Sequence, residues 1–506
     1  MESRISDASF WIASTEATAY PRLTEDGTAD VVVIGAGIAG LCTAWEVLKT
    51  GRTVAVLEAD RVAAGVTGHT TAKLTALHTL VYSRLAATVG LDGARAYART
   101  QQEAVDDVER TARELDIDCD FERVPAFTYA ETEEHAVKVR DEADAAAAAG
   151  LAASFVTDTR LPFVVRGAVR VDDQAQFHPR KYLIGLAEAI VARGGRIYER
   201  TRVVGLDEGA PCRVRTEDGT TMTTGAVVVA THYPVFDRAL LFTRLESTRE
   251  LVVGARLRAD DDLAGCYVTP EGRTRSLRTA PLDDGHRLLI VTGEKFTPGA
   301  DGVADRFDTL LRWTRERFPD AEPMYRWAAQ DNSTPDHRPF IGPLHPLARN
   351  TYVATGFAGW GMSNGVVAGR LLAQTIDGKR PEYADLYDPR RLHPLREAPQ
   401  MAKLATTVAR HLVGDRLGCP RGDSPDELAP GTGAVLRVRG QRCAVYRDDD
   451  GELHAVSATC THLGCIVSFN DAERAWECPC HGSRFTVDGA VLHGPATRPL
   501  PPQDLA

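Results

Sequence analysis

Residues 30–60 constrain the fold more than any other stretch: they read D-VVVIG-A-G-I-A-G-LCTAWEVLKTGR-TVAVLE-AD. An apolar run, a glycine turn, a helical pattern and a second apolar run ending in Glu58 make a complete βαβ unit. Parallel strands joined this way belong to a sheet that helices cover. Gly35 permits the tight turn, Gly37 lets backbone approach a pyrophosphate, and Gly40 allows close helix–strand packing. The phosphates then sit on a helix N-terminus, with Glu58 placed for the ribose hydroxyls. The unit binds a dinucleotide but does not by itself choose between NAD and FAD.

A second constraint lies far downstream, at C-T-H-L-G-C (460–465) and C-P-C-H-G-S (478–483). Reduced to ligand types, this is C-x-H followed by C-x-x-H, with an extra cysteine beside each half. Two thiolates, Cys460 and Cys478, suit a ferric iron, and two imidazoles, His462 and His481, suit its partner. A Cys₂His₂ zinc site is the competing reading. Zinc needs neither the two additional cysteines nor the Gly-Ser after the last histidine. The arrangement closely resembles the Rieske [2Fe–2S] family.

Composition bounds the rest. The chain has 506 residues, enough for several domains, and a net charge of −11, which argues against nucleic acid as a partner. Its first thirty residues contain no basic start, apolar core or twin arginine, and no apolar run approaches the roughly 18–20 residues of a membrane span. The expected location is therefore the cytoplasm. Ten cysteines in such a length make no disulfide scaffold.

Along the chain, an alanine-rich helical region covers about 85–150. A helix, a hairpin and the strand GAVVVAT follow over 181–230, and strands near 247–295 suggest a mixed sheet. A strand–glycine–helix unit occupies 351–377, and short strands and turns fill the last eighty residues. The expected fold is an α/β (α+β) Rossmann-like nucleotide-binding domain with an inserted mixed-sheet substrate subdomain, plus a small all-β domain. The expected boundaries are 1–390, a helical connector at 391–427, and 428–506.

No second G-x-G-x-x-G follows the first, so a second nucleotide is not expected. Instead S-T-P-D-H-R-P-F-I-G-P (333–343) leads to A-T-G-F-A-G-W-G-M-S-N-G (354–365) and a helix. With the loop RVAAGVTGHTTAK (61–73) and the strand ending in Ala230–Thr231, residues 10–385 resemble the D-amino-acid-oxidase-type flavoproteins, the glycine and sarcosine oxidase group. The whole chain resembles bacterial fusions of such an oxidoreductase with a Rieske domain.

That resemblance implies FAD held by Gly35, Gly37, Gly40 and Glu58, with Val203 meeting the adenine through its backbone. Thr70, Thr71 and Ala72 would lie along the flavin, and Gly359, Trp360, Gly361 and Met362 would approach its ring. His69 matches a residue that some relatives link covalently to flavin, although a hydrogen-bonding histidine is the simpler reading. Ala329 stands where other relatives have a linking cysteine. No lysine is read inside the strand RLLIVTG, where oxidases of the group have one, which favours a dehydrogenase. Arg249, Arg256, Arg275 and Arg278 are candidates for a substrate carboxylate.

In the Rieske half the resemblance implies a Cys465–Cys480 disulfide, a hydrogen bond from Ser483 to the cluster, and shielding by Gly494–Pro495–Ala496. Phe485 replaces a tyrosine of high-potential relatives, so a potential below the top of the family range of about +300 mV is expected. The sequence runs 25 residues past His481, so no oxygenase iron domain is expected. The expected function is an FAD-dependent dehydrogenase that oxidises an amine or amino acid and discharges singly through the cluster to a protein, quinone or oxygen. The alternatives are an oxygen-using oxidase with a regulatory cluster and a non-catalytic electron relay.

Overall fold

The chain is represented by a computed structural model that describes residues 5–505, except 237, 239, 240, 284, 393–401, 403–405 and 407–423. The expected helical connector at 391–427 lies largely outside the described residues.

The βαβ unit forms as read. Strands Gly27–Ile34 and Val54–Leu57 pair in parallel across the helix Ile38–Leu48, and both strands are buried through their apolar runs. Around them grows an eight-stranded sheet. Thr221–Val229 pairs in parallel with the first strand, Thr351–Thr355 with Thr221–Val229, and Arg196–Tyr198 extends the other edge. The helix Gly361–Ile376 packs on Ile38–Leu48, where Gly369 leaves no room for a Cβ beside Cys42.

A nine-stranded, largely antiparallel sheet makes the second layer. Its longest strand, Glu246–Arg258, lies next to one edge, between the edge strand Glu322–Ser333 and His286–Phe296. Its far side buries an apolar cluster that includes Leu251, Val253, Leu289 and Phe307. Residues 424–505 form sheets of three and four short antiparallel strands around their own core, with Trp476 and Phe485 fully buried. Among the described residues no helix is long and apolar enough to cross a membrane.

Candidate active site and cluster centre

A cavity of about 850 Å³ runs from the first βαβ turn to the face of the nine-stranded sheet. At its first end Gly35 has φ 104°, and a Cβ there would stand 2.6 Å from the Ala230 carbonyl oxygen. Gly37 caps the helix Ile38–Leu48, so that helix opens its N-terminal N–H groups on the cavity. Gly40 lies behind the lining, against the Gly35 carbonyl. Glu58 accepts hydrogen bonds from the Ala36 N–H (2.7 Å) and the Asp60 N–H (2.9 Å). Burial raises its pKa, and these two amides oppose the rise.

Val203, Thr70, Thr71 and the loop Gly359–Met362 also line the cavity, as does Arg202, which sequence reading missed. Trp360 stacks on buried His78 at 4.6 Å. The His78 ring touches Tyr97 Oη (2.6 Å), the Thr75 carbonyl (2.8 Å) and Ser363 Oγ (3.1 Å), and burial pushes its pKa down to about 3. It therefore serves as a neutral support at physiological pH. The open backbone cradle, bordered by one carboxylate and a helix start, fits a dinucleotide with a flavin against the Gly359–Met362 loop.

His69 is placed differently. Its Nδ1 lies 2.9 Å from the Gly65 carbonyl, its own carbonyl accepts from Trp327 Nε1, and it is not among the cavity-lining residues. Ala72, read along the flavin, also lies outside the lining. With His69 outside the cavity lining, all flavin is expected to separate from the denatured, precipitated protein. Flavin fluorescence retained on the chain in a denaturing gel would contradict this.

In the C-terminal domain Cys460 and Cys478 are buried free cysteines, and the His462 and His481 rings lie 5.0 Å apart at 89°. His462 Nδ1 and both nitrogens of His481 are buried without a hydrogen-bond partner. Orphaned imidazole nitrogens beside two thiols fit a cluster that ligates them. Cys465 and Cys480 are joined in a disulfide that ties the two loops together. The sulfurs of Cys465, Cys478 and Cys480 gather within 4.8 Å, but the disulfide occupies two of them, leaving Cys460 and Cys478 as the thiolate pair. Ser483 Oγ accepts the Ala496 N–H (3.0 Å), which fixes the Gly494–Ala496 loop over the site.

The two sites share a wall. Along Glu246–Arg258 side chains alternate, so Thr248 and Glu250 line the cavity while Ser247 and Arg249 point away from it. On that opposite face Ser247 Oγ donates to the His481 carbonyl (3.2 Å), and Gln330 Nε2, cross-strand from Arg249, donates to the Gly482 carbonyl (3.1 Å). Arg249, 1% exposed, pairs with Glu473 and with fully buried Glu477, both of which also meet Arg484. The His481 ring packs edge-on against Tyr233 and Phe242. From the C-terminal domain His493, Gly494, Ala496 and Thr497 reach round the wall into the cavity, and His493 Nε2 lies 3.2 Å from His232 Nδ1.

None of the four candidate arginines lines the cavity. Arg249 serves the domain contact, and Arg275 pairs with Glu294 (2.5 Å). Arg278 donates to the carbonyls of Ala72 and Phe177, and Arg256 pairs with Asp283 at the surface. The cavity contains other charges: Lys73, Arg84, Glu250, Lys295 and Asp331. Lys295 lies inside the strand His286–Phe296, not beyond it, and Lys73 is a buried lysine whose Nζ bonds Thr71 Oγ1 at 2.7 Å. The preference for a dehydrogenase drawn from a missing lysine therefore does not hold. A lysine in the otherwise apolar run A-K-L-T-A-L directly after the glycine loop was the signal for Lys73.

Comparison with known proteins agrees with this geometry. Residues 30–375 match the FAD dependent oxidoreductase family, and residues 422–503 match the Rieske [2Fe-2S] domain. A Bacillus subtilis (strain 168) protein named for a Rieske 2Fe-2S iron-sulfur centre, YhfW, is 34% identical over 98% of this chain and 97% of its own. Gamma-glutamylputrescine oxidoreductase of Escherichia coli (strain K12) is 26% identical over 73% of this chain and 89% of its own. The glycine oxidase structure from Geobacillus kaustophilus superposes with a TM-score of 0.60 at 22% identity, covering 72% of this chain and all of that one. The chain belongs to the FAD-dependent oxidoreductase family of the D-amino-acid-oxidase type and carries a C-terminal Rieske [2Fe–2S] domain.

Proposed function

We propose that the protein oxidises the C–N bond of an amine or amino acid at FAD and passes the electrons one at a time through its Rieske cluster to an external acceptor. The observation that carries this reading is the shared wall: one strand, Glu246–Arg258, lines the cavity with Thr248 and Glu250 and holds the cluster loop with Ser247 and Arg249. The relatives named for glycine and gamma-glutamylputrescine support the substrate class.

When bound, the flavin accepts a hydride from the substrate carbon and the cluster accepts single electrons. The chain's own part is to orient and to exclude water. The Gly359–Met362 loop, braced by the Trp360–His78 stack, and the sheet residues Thr248, Ser276 and Thr292 enclose the cavity from two sides. The loop from His493 to Thr497 closes a third side, so docking of the C-terminal domain completes the chamber. Cys460, Cys478, His462 and His481 would hold the cluster, and the contact of His493 with His232 joins the C-terminal domain to the flavin half at the cavity wall. The oxygen-using alternative has Lys73 and Lys295 in its favour, since both place an amine in the cavity.

Anaerobic mixing with a panel of amines and amino acids tests the reading. An active substrate is expected to bleach the flavin absorbance first and to raise the reduced-cluster EPR signal afterwards. Failure of every amine to bleach the flavin would leave the relay alternative. Stoichiometric peroxide in air without a reduced cluster would favour the oxidase.

A further inference from the structure

The nucleotide end of the cavity takes part of its wall from the C-terminal domain. Val203 and the pair Ala230–Thr231 mark that end: a Cβ on Gly35 would meet the Ala230 carbonyl oxygen and, at 3.5 Å, the Thr231 nitrogen. Each of these segments runs directly into a contact with the short strand Val491–His493 or the loop after it. Arg202, beside Val203, donates from Nη2 to the Val491 carbonyl (3.3 Å). His232, beside Thr231, meets His493 at 3.2 Å, and a Cβ on Gly494 would lie 3.5 Å from Val235 Cγ1. Val491, Leu492 and His493 all line the cavity, yet Leu492 is 52% exposed, so the strand stands between the nucleotide end and solvent.

Side chains, and not a sheet, hold this piece of wall in place. Among the described residues the strands of 424–505 pair only with one another, and the domain has its own core. Several of its attachments lie outside the cavity. They are Arg249 with Glu473 and Glu477, and the Gly299 and Ala304 N–H groups, which donate to Glu477 Oε2 (2.9 Å) and Asp471 Oδ1 (3.1 Å). Undocking would therefore remove one side of the nucleotide end while leaving both sheets of the flavin half intact. Arg202 adds a charge. A guanidinium has five N–H donors, and the Val491 bond and Glu217, 4.0 Å from Nε, use only part of them. Arg202 is also close enough for its charge to act on Glu58, the carboxylate expected at the ribose. A cation at this end of the cavity suits a dinucleotide phosphate.

We propose that FAD is gripped between the two domains: Val491–Gly494 closes the nucleotide end, Arg202 ties a cofactor phosphate to the Val491 carbonyl, and cofactor binding and domain docking favour each other. This needs only the FAD site and is independent of which substrate is oxidised. Such coupling is reciprocal by thermodynamic necessity, so the factor that docking adds to FAD affinity is the factor that FAD adds to docking.

Two measurements on the full chain test the two directions. The first is hydrogen exchange at Gly299 and Ala304, read by mass spectrometry on FAD-stripped and FAD-loaded protein, with the cluster EPR signal intact in both. These amides bond the C-terminal domain but lie outside the cavity, so direct contact with FAD does not protect them. FAD is expected to slow their exchange. The second is the Kd for FAD, read by quenching of flavin fluorescence, in Arg249→Met, a change that is also outside the cavity. That Kd is expected to rise about fivefold or more, the lower end of typical couplings. Arg202→Gln is expected to raise the Kd and to weaken the protection of Gly299 and Ala304 together. Exchange that ignores FAD, or an unchanged Kd in Arg249→Met, overturns the proposal. A raised Kd without FAD-dependent exchange breaks the reciprocity, assigns the loss to damage within the flavin half, and overturns it as well. Failure of every amine to bleach the flavin would sink the amine-oxidising reading and leave this coupling standing.

Discussion

Replacing Arg249 with methionine is expected to destabilise docking of the Rieske domain by about 3–5 kcal/mol, because it leaves buried acids without their main cation. Glu477 has no exposed side-chain surface, and Glu473 is 22% exposed. Asn470 Nδ2 bonds both acids (3.1 Å to Glu473, 2.9 Å to Glu477) but carries no charge. Arg484 remains, yet it must then serve two carboxylates alone. In the variant, slower appearance of the reduced cluster after flavin bleaching is expected, along with protease cleavage between the domains. The double change Arg249→Met/Glu477→Met removes the fully buried acid together with its cation, leaves Glu473 paired with Arg484, and is expected to recover most of the stability. A single variant as resistant as the wild type would show that the contact is incidental.

The same network gives a pH signature. Burial alone would raise the Glu473 pKa, but Arg249 and Arg484 reverse that and hold it at about 2, below its ordinary 4.5. A depressed carboxyl pKa stabilises the folded state above the unfolded value and loses that contribution as pH falls. Docking strength is therefore expected to hold above about pH 4.5 and to fade between 4.5 and 2. The Arg249→Met variant should show a shallower loss over that window.

The parts legible in the sequence are those that local pattern decides. Gly35, Gly37, Gly40 and Glu58 sit in one βαβ unit of thirty-one residues, so spacing alone places them. The cluster ligands occupy two loops only fifteen residues apart, and the Cys465–Cys480 bridge spans the same short interval. What spacing did not reveal is which face of a strand meets what. Ser247, Thr248, Arg249 and Glu250 are consecutive, yet alternate members serve different sites. The partners of Arg249 lie 224 and 228 residues downstream, and no local signal distinguishes that arginine from a substrate ligand. His232 and His493 meet across 261 residues. Glu250 and Asp331 are ordinary in pattern, and they gain meaning only once the two sheets face each other across the cavity.

Gly40→Ala is expected to abolish FAD binding and to cost about 3 kcal/mol or more. Overpacked side chains can shift to relieve a clash, but here the obstacle is backbone. A Cβ on Gly40 would lie 1.9 Å from the Gly35 carbonyl oxygen and 3.3 Å from Val33 Cγ1. Relief requires moving the helix Ile38–Leu48 off its strand, and that helix start also carries Gly37, the residue that opens its N–H groups to the cavity. Movement of the helix would disturb the packing at Gly369 on the helix Gly361–Ile376. That second helix begins in the Gly359–Met362 loop at the other end of the cavity, so one methyl group reaches both ends of the expected flavin site. Gly272→Ala, where nothing lies within 4 Å of the added Cβ, is the matched control. The purified Gly40→Ala protein should lack the flavin absorbance and melt at a lower temperature, while keeping the Rieske EPR signal because that domain has its own core. Full flavin content in Gly40→Ala would mean that the helix does not need this close approach. Loss of the cluster signal as well would mean that the C-terminal domain depends on the flavin half for its fold.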